Sequence, residues 1–158
     1  MGEDAAESEL FRSLYPSLRS FAAAVGSWDV EPDDLVQEAL SRTLRKHRLA
    51  DLDSPGSYLR TVIVNLAASA GRRRASRDRA LTRAAAPVTS VEPMPSDLSE
   101  LERLGPLDRA VLYLVHVEGY PHKEVAELLG ISEQASRSRA SRATSRLRQE
   151  IRAEEAAS

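Results

Sequence analysis

Val125-Ala126-Glu127-Leu128-Leu129-Gly130-Ile131-Ser132-Glu133-Gln134-Ala135-Ser136-Arg137-Ser138-Arg139-Ala140-Ser141-Arg142-Ala143 joins a short apolar-striped segment to a longer arginine-rich one across a glycine. Both segments have helical spacing. Gly130 permits a sharp reversal because it has no Cβ, Ile131 is placed to fill the gap between the helices, and Ser132 is a good N-cap for the second. This is the layout of a helix-turn-helix, whose second helix enters the major groove. At about 100° per residue, Ser136, Ala140, Ala143 and Leu147 fall on one face and should pack inward. Gln134, Arg137, Ser138, Ser141, Arg142, Ser145 and Arg148 spread over the opposite half. An amide can read adenine, a guanidinium can read guanine, and serines with a helix N-terminus suit phosphate. Arg139 and Arg146 lie on the flanks, where backbone contacts or salt bridges are the better reading.

Upstream, Leu107 to Val117 predicts a helix closed by Glu118-Gly119, and His122 to Leu129 a second one with Val125, Ala126 and Leu129 buried. Leu98, Leu101 and Leu104 suggest a short helix before them, and the last helix reaches Ile151. Before this unit, Ala84–Asp97 holds three prolines and no periodicity, which is a linker pattern. Earlier still, Leu10, Leu14, Leu18, Phe21 and Val25 recur at three and four, giving a helix over Glu9–Val25 ended by Gly26. Residues 1–8 are expected to fray. Pro32, Asp33 and Asp34 mark the start of a helix reaching about His47, with Leu35, Ala39, Leu40 and Leu44 inward. A third helix follows the Pro55-Gly56 loop with Leu59, Val62, Ile63 and Leu66 inward, and weakens near Gly71. The β-branched run Thr61–Val64 leaves a strand open, but it does not alternate. The prediction is an all-α chain of two small helical domains, 7–80 and 99–152, joined by a flexible Pro-rich linker at 81–98, the second containing the helix-turn-helix.

Charge sharpens this reading. The 158-residue chain has a formal net charge of -2, which at face value disfavours a nucleic-acid partner. Segment by segment the balance differs: residues 1–38 carry -7, 39–83 carry +8, 84–136 carry -6 and 137–152 carry +5. Two basic islands thus stand between acidic stretches, as in a protein with nucleic-acid faces and other faces for protein partners. Aromatic residues make up only 4%, which limits stacking platforms. Without cysteine, disulfides and thiolate metal sites are excluded. No apolar run approaches the ~20 residues of a membrane span, and the acidic start is unlike a secretory signal, so a cytoplasmic location is expected. Asp33, Asp34 and Glu38 could suggest a metal or an acid–base pair, but a helix start without histidine favours capping and partner contact. His116 and His122 straddle a turn without metal-ligand spacing. Trp28, in a loop, fits either a fold-back onto the first helix or a partner contact. No phosphate loop or nucleophile elbow occurs, and no enzyme, cofactor, metal or small-molecule substrate is expected.

Two sets of motifs carry a family resemblance. The first is Asp33-Asp34-Leu35-Val36-Gln37-Glu38-Ala39, then Ser57-Tyr58-Leu59-Arg60, Asn65-Leu66-Ala67 and a triple arginine. The second is Leu104-Gly105-Pro106-Leu107-Asp108-Arg109-Ala110-Val111, then Glu118-Gly119-Tyr120, Glu124-Val125-Ala126 and Leu129-Gly130-Ile131-Ser132. Together they resemble RNA polymerase sigma factors of the sigma-70 type, in the extracytoplasmic-function (ECF) group with only the second and fourth conserved regions. The resemblance implies a promoter-specificity subunit of core RNA polymerase that binds the -35 duplex and melts and captures the -10 element. It implies that Asp34, Leu35, Gln37, Glu38 and Arg42 meet the clamp helices of the polymerase largest subunit. Pro55, Ser57 and Asn65 would attend an everted base of the -10 strand, and Arg72, Arg73 and Arg74 would hold its phosphates. Gln134, Arg137, Ser138, Ser141 and Arg142 would meet the -35 duplex, and an apolar shoulder nearby the flap of the second-largest subunit. An anti-sigma protein is a further partner implied by the group, and at this length a housekeeping factor's extra N-terminal regions are not expected.

The sequence also departs from the pattern. Ser136 and Ala140 stand where the family usually has valine and leucine, which thins the packing behind the recognition helix. A buried serine there needs a partner, such as a carbonyl one turn back. Ser69 stands where an aspartate is usual, and Tyr58 replaces a tryptophan. These departures predict a fourth region that is marginally stable alone. Two other functions compete with the first: a polymerase-independent helix-turn-helix regulator, and a sigma-like decoy that keeps only protein-binding surfaces.

Overall fold

In the computed structural model, residues 2–84 and 103–158 are described, and they form six α-helices and one short 3-10 turn. Most of the linker prediction and most of the Leu98–Leu104 helix fall at 85–102, outside the described residues. The first helix, α1 (Gly2–Val25), starts well before Glu9. Its acidic first turns suit the positive end of the helix dipole, and Glu3 and Glu7 are paired with Arg48. Residues 2–8 are therefore helix rather than a frayed end. Gly26 then lets the chain pass close to the next helix, because a Cβ there would lie 2.7 Å from Leu35 Cδ1.

Helix α2 (Pro32–Leu44) opens with proline in its first turn and Asp33 and Asp34 beside it, as predicted. It ends three residues before His47, where the Lys46 and His47 amides turn back onto the Thr43 carbonyl. After the 3-10 turn Leu49–Asp51 comes α3 (Pro55–Ala84), helical through both the β-branched run and Gly71. Gly71 has open space around it and ordinary helical neighbours, so it does not break the element. The basic run Arg72–Arg83 extends the helix into the segment expected to be linker.

The second unit consists of α4 (Pro106–His116), α5 (His122–Leu129) and α6 (Glu133–Ala157). Gly130 caps α5 with φ 66°, a left-handed conformation that a side chain would strain. Ser132 Oγ accepts from the Ala135 amide at 3.0 Å and starts α6. Thus the helix-turn-helix forms for the local reasons its sequence gives.

The two units are in contact and share one continuous core. Leu18, Phe21 and Val25 of α1 and Leu59 and Ile63 of α3 belong to the same buried cluster as Val111, Leu114, Val125 and Leu129. The Phe21 ring meets Tyr113 edge-on, with centroids 6.1 Å apart. Polar contacts cross the junction too. Arg109, only 7% exposed, donates to the Leu104 carbonyl at 2.7 Å and to the Val25 carbonyl at 2.5 Å. Arg60 lies 3.7 Å from Glu118 and over the Phe21 ring, and Thr61 Oγ1 donates to the Leu128 carbonyl at 3.3 Å.

Candidate nucleic-acid interface

Three surfaces come from the basic islands and the helix faces beside them. On α2, Asp34, Gln37, Glu38 and Arg42 are exposed together. Leu35 is the exception among the residues expected there: at 7% exposure it packs in the core, as its helical phase requires. Arg42 Nε donates to Glu38 Oε1 at 2.7 Å, and this bond holds the Glu38 carboxyl below the ordinary glutamate range. Asp33 is turned away from this face, bonded by the Tyr15 hydroxyl and by Arg19 Nε. The Asp33 contact raises the Tyr15 phenol above its ordinary value.

Between the C-terminal half of α2 and the middle of α3 lies a cleft of about 380 Å³. Asn65 and Ser69 line it from α3, with Tyr58 at one end and Arg42, Arg45 and Lys46 opposite. A polar amide with three cations and one aromatic edge suits an unpaired, negatively charged strand better than an apolar ligand. Of Pro55, Ser57 and Asn65, the residues expected beside a -10 base, Asn65 lines this cleft; Arg42, expected at the polymerase clamp, lines it too, and Arg45, Lys46 and Ser69 had been given no site. The signal for the two cations was the run Arg45-Lys46-His47-Arg48, which follows the end of α2 and belongs to the +8 island. Pro55 and Ser57 stand half-buried at the start of α3, where the Ser57 and Ser54 hydroxyls bond at 2.7 Å.

Farther along α3 the three arginines separate in role. Arg72 and Arg73 are exposed, with Arg72 reaching Ser69 Oγ at 3.1 Å. Arg74 is half-buried and bonded to Asp29, so part of its charge is committed inside the protein. Next to Asp29, Trp28 is 65% exposed, which answers its placement against a full fold-back onto α1.

On α6, Gln134, Arg137, Ser138, Ser141 and Arg142 line one shallow open surface. The structure brings all five together because they share one helical face. Arg137 Nη2 reaches Glu133 Oε1 at 2.6 Å, one turn earlier. Behind this face, Ser136 is fully buried, with Ala140 and Ala143 along the same stripe. The partner of Ser136 is not a carbonyl one turn back: His122 Nδ1 lies 2.8 Å from its Oγ. His122, the first residue of α5, faces the hydroxyl across the turn. Arg139, on the flank, pairs with Asp108 at 2.8 Å, and Arg146 with Glu150 at 3.5 Å.

A fourth surface is apolar. Leu112, Tyr113 and Val117 of α4 and the segment after it, with Leu147 and Ile151 of α6, line a groove of about 420 Å³ that Ala24 of α1 helps close. Among the described residues no helix is long and apolar enough to cross a membrane.

Known proteins resemble the chain in the same two parts. The profile of sigma-70 region 2 matches residues 10–77, and that of sigma-70 region 4 matches residues 98–147. The chain is 33% identical over 127 residues to the probable ECF RNA polymerase sigma factor SigI of Mycobacterium tuberculosis (strain CDC 1551 / Oshkosh), covering 70% of this chain and 43% of SigI. It thus spans less than half the length of that relative. It is 27% identical over 157 residues to the ECF RNA polymerase sigma factor SigM of Mycobacterium tuberculosis (strain ATCC 35801 / TMC 107 / Erdman), covering 92% of this chain and 77% of SigM. The fold is similar to that of the sigma factor RpoE from Bartonella quintana, crystallised with the anti-sigma factor NepR. That likeness has a TM-score of 0.67 at 22% identity, over 92% of this chain and 96% of the other.

Proposed function

The chain belongs to the sigma-70 family of RNA polymerase sigma factors, in the ECF group, and from that premise we propose that it gives core RNA polymerase its promoter specificity in the cytoplasm. The observation that carries the reading is a pair of unlike basic surfaces on the two units, in the order of regions 2 and 4. The α2–α3 cleft suits an unpaired strand of the -10 element, with Asn65 against a base and Arg72 and Arg73 along phosphates. The α6 face suits the major groove of the -35 duplex, where Arg137 and Arg142 can read guanine and Gln134 adenine. Asp34, Gln37, Glu38 and Arg42 then meet the largest-subunit clamp helices, and the apolar groove meets the second-largest-subunit flap. An anti-sigma protein is proposed as a further partner, in line with the complex in which the RpoE of similar fold was crystallised.

This function requires the units to part. Elements named for positions 35 and 10 lie about 25 base pairs apart, or about 85 Å of duplex. The Thr61–Leu128 contact is one helical turn, about 6 Å, from Asn65. It is six residues from Gln134, at most about 22 Å of chain. Even with side-chain offsets, the packed arrangement holds the two surfaces within about 40 Å of each other.

Run-off transcription with core polymerase and a genomic fragment library tests the proposal. Specific transcripts are expected that depend on the chain and are lost when Asp34 and Glu38 are substituted together. Footprints formed without polymerase would point instead to a helix-turn-helix regulator acting alone.

A further inference from the structure

The row Arg45-Lys46-His47-Arg48 leaves the end of α2, yet only part of it serves the cleft. Arg45 and Lys46 line the cleft, and the His47 ring packs edge-on to Tyr58 with centroids 5.4 Å apart. Arg48 points the other way. Its Nη1 is 3.0 Å from Glu3 Oε2 and its Nε is 3.7 Å from Glu7 Oε2, both on α1. The Glu3 bond raises the Arg48 guanidinium above its ordinary value, and Glu7 and Asp51 add to it. The next residue, Leu49, is fully buried, and its amide donates to Glu7 Oε1 at 2.6 Å.

Glu7 therefore spends both oxygens on one loop, from a helix 42 positions away in sequence. One oxygen satisfies a main-chain donor on a buried residue, which would otherwise have to find another partner. The other, 3.7 Å from Arg48 Nε, assists Glu3 in drawing a cation away from the cleft. A charge-assisted bond of this kind is about twice as strong as a neutral one, and it fixes the main chain within a few residues of Arg45, Lys46 and His47. A wall that selects a base by shape and charge loses selectivity when it shifts by about 1 Å.

We propose that Glu7, working with Arg48, is a positioning residue for base selection in the α2–α3 cleft, an inference that rests on the strand-capture role proposed for that cleft. Glu7 touches no nucleic acid. It sets the loop that does, and it withholds one of the loop's cations from the phosphates.

The test uses the full chain with core polymerase and a promoter library randomised in both the -10 and -35 windows, read by sequencing the transcripts. In Glu7→Ala, base preference in the -10 window should fall by about three- to tenfold, the worth of one hydrogen bond, while the -35 window keeps its preferences. Glu7→Gln keeps an acceptor for the Leu49 amide and should restore most of the -10 preference. If Glu7→Ala fails to fold, Arg48→Ala decides: it alters an exposed ion pair and should still flatten the -10 window by about twofold. Unchanged -10 preferences in an active variant, or an equal fall in both windows, would overturn the brace alone. No chain-dependent transcripts from the unsubstituted protein would overturn the strand-capture role and the brace with it.

Discussion

The two units are both helical, but they are stabilised differently. The first fills its interior with Leu18, Phe21, Leu49, Leu59 and Ile63, all fully buried. In the second, the helix that carries the candidate duplex face is backed by Ser136, Ala140 and Ala143, and its neighbours α4 and α5 bury Val111, Leu114 and Val125 into a cluster shared with the first unit. One unit is a core with a cleft on its surface. The other carries the candidate duplex-reading helix on neighbours, α4 and α5, that gain part of their support from the first. This difference implies that separating the units, as the proposed promoter binding requires, withdraws support mainly from the second.

The largest expected effect follows from holding the units together. The chain has no cysteine, so Thr61→Cys with Leu128→Cys can be bridged by a short thiol cross-linker at the junction. Transcription from a two-element promoter should fall by about 10²- to 10⁴-fold, because simultaneous engagement becomes geometrically impossible. Binding to an isolated -35 duplex should be unchanged, since the α6 face stays open. Equal transcription by bridged and unbridged protein would show that the packed state already fits both elements.

Next in size is the loss of support itself. Residues 98–152 alone should unfold at low temperature in a broad transition, with weak near-ultraviolet circular dichroism. A fragment this small buries little surface, and the excision exposes the sides of Val111, Leu114 and Val125 that now meet the first unit. A sharp transition near that of residues 2–84 would erase the contrast between the units.

The contrast was legible in part. The departures at Ser136 and Ala140 are visible in the sequence, and helical phase correctly placed all five residues of the α6 face on one surface. Phase also places Leu35 inside α2, although family resemblance assigns it to a contact surface; here the local periodicity is the better guide. What sequence could not supply were contacts between distant positions. Glu7 with Leu49 and Arg109 with Val25 depend on how helices cross, and nothing in their local spacing announces them. The first eight residues look like a loose acidic tail because their stabilising cation, Arg48, lies on another element. Likewise the His122–Ser136 bond joins two residues that periodicity treats separately, one as a stray histidine and one as a weak core position.

The DNA faces should also differ in kind. Arg137→Ala or Arg142→Ala should cost about 1–3 kcal/mol of discrimination among -35 sequences, if each reads a guanine edge. Arg73→Ala should instead weaken binding to every sequence and lower the slope of log affinity against log salt by about 0.7 to 0.9. Competition titrations with cognate and random DNA at several salt concentrations separate the two. Equal losses on cognate and random DNA for all three variants would abolish the division between a reading helix and a strand-holding one.

Behind the reading helix, His122→Ala should destabilise the second unit by about 1–2 kcal/mol, because it leaves a buried hydroxyl unsatisfied. Adding Ser136→Ala should return much of that loss, since the unsatisfied group is then gone. Denaturant unfolding of the full chain, the two single variants and the double variant completes the cycle. Additive losses would mean that the bond seen at 2.8 Å contributes no coupling.

The smallest effect concerns a device both units share. One candidate face on each unit carries an arginine bonded to a glutamate one turn earlier, Arg42 to Glu38 and Arg137 to Glu133. Exposed pairs of this spacing are weak and screened by salt, so a partner can displace them readily. In the first unit the pair has a readable signature, because hydrogen bonding from Arg42 lowers the Glu38 carboxyl value. A lowered acid contributes stability above its unfolded value, about 4.3 for glutamate, and loses it as pH falls through the lower folded value. The melting temperature of Arg42→Ala should therefore sit slightly below that of the unsubstituted chain at pH 7, and the gap should narrow as pH falls below about 4.3. A gap that does not narrow on acidification would mean that Arg42 stabilises α2 through its packing against the cleft rather than through its charge.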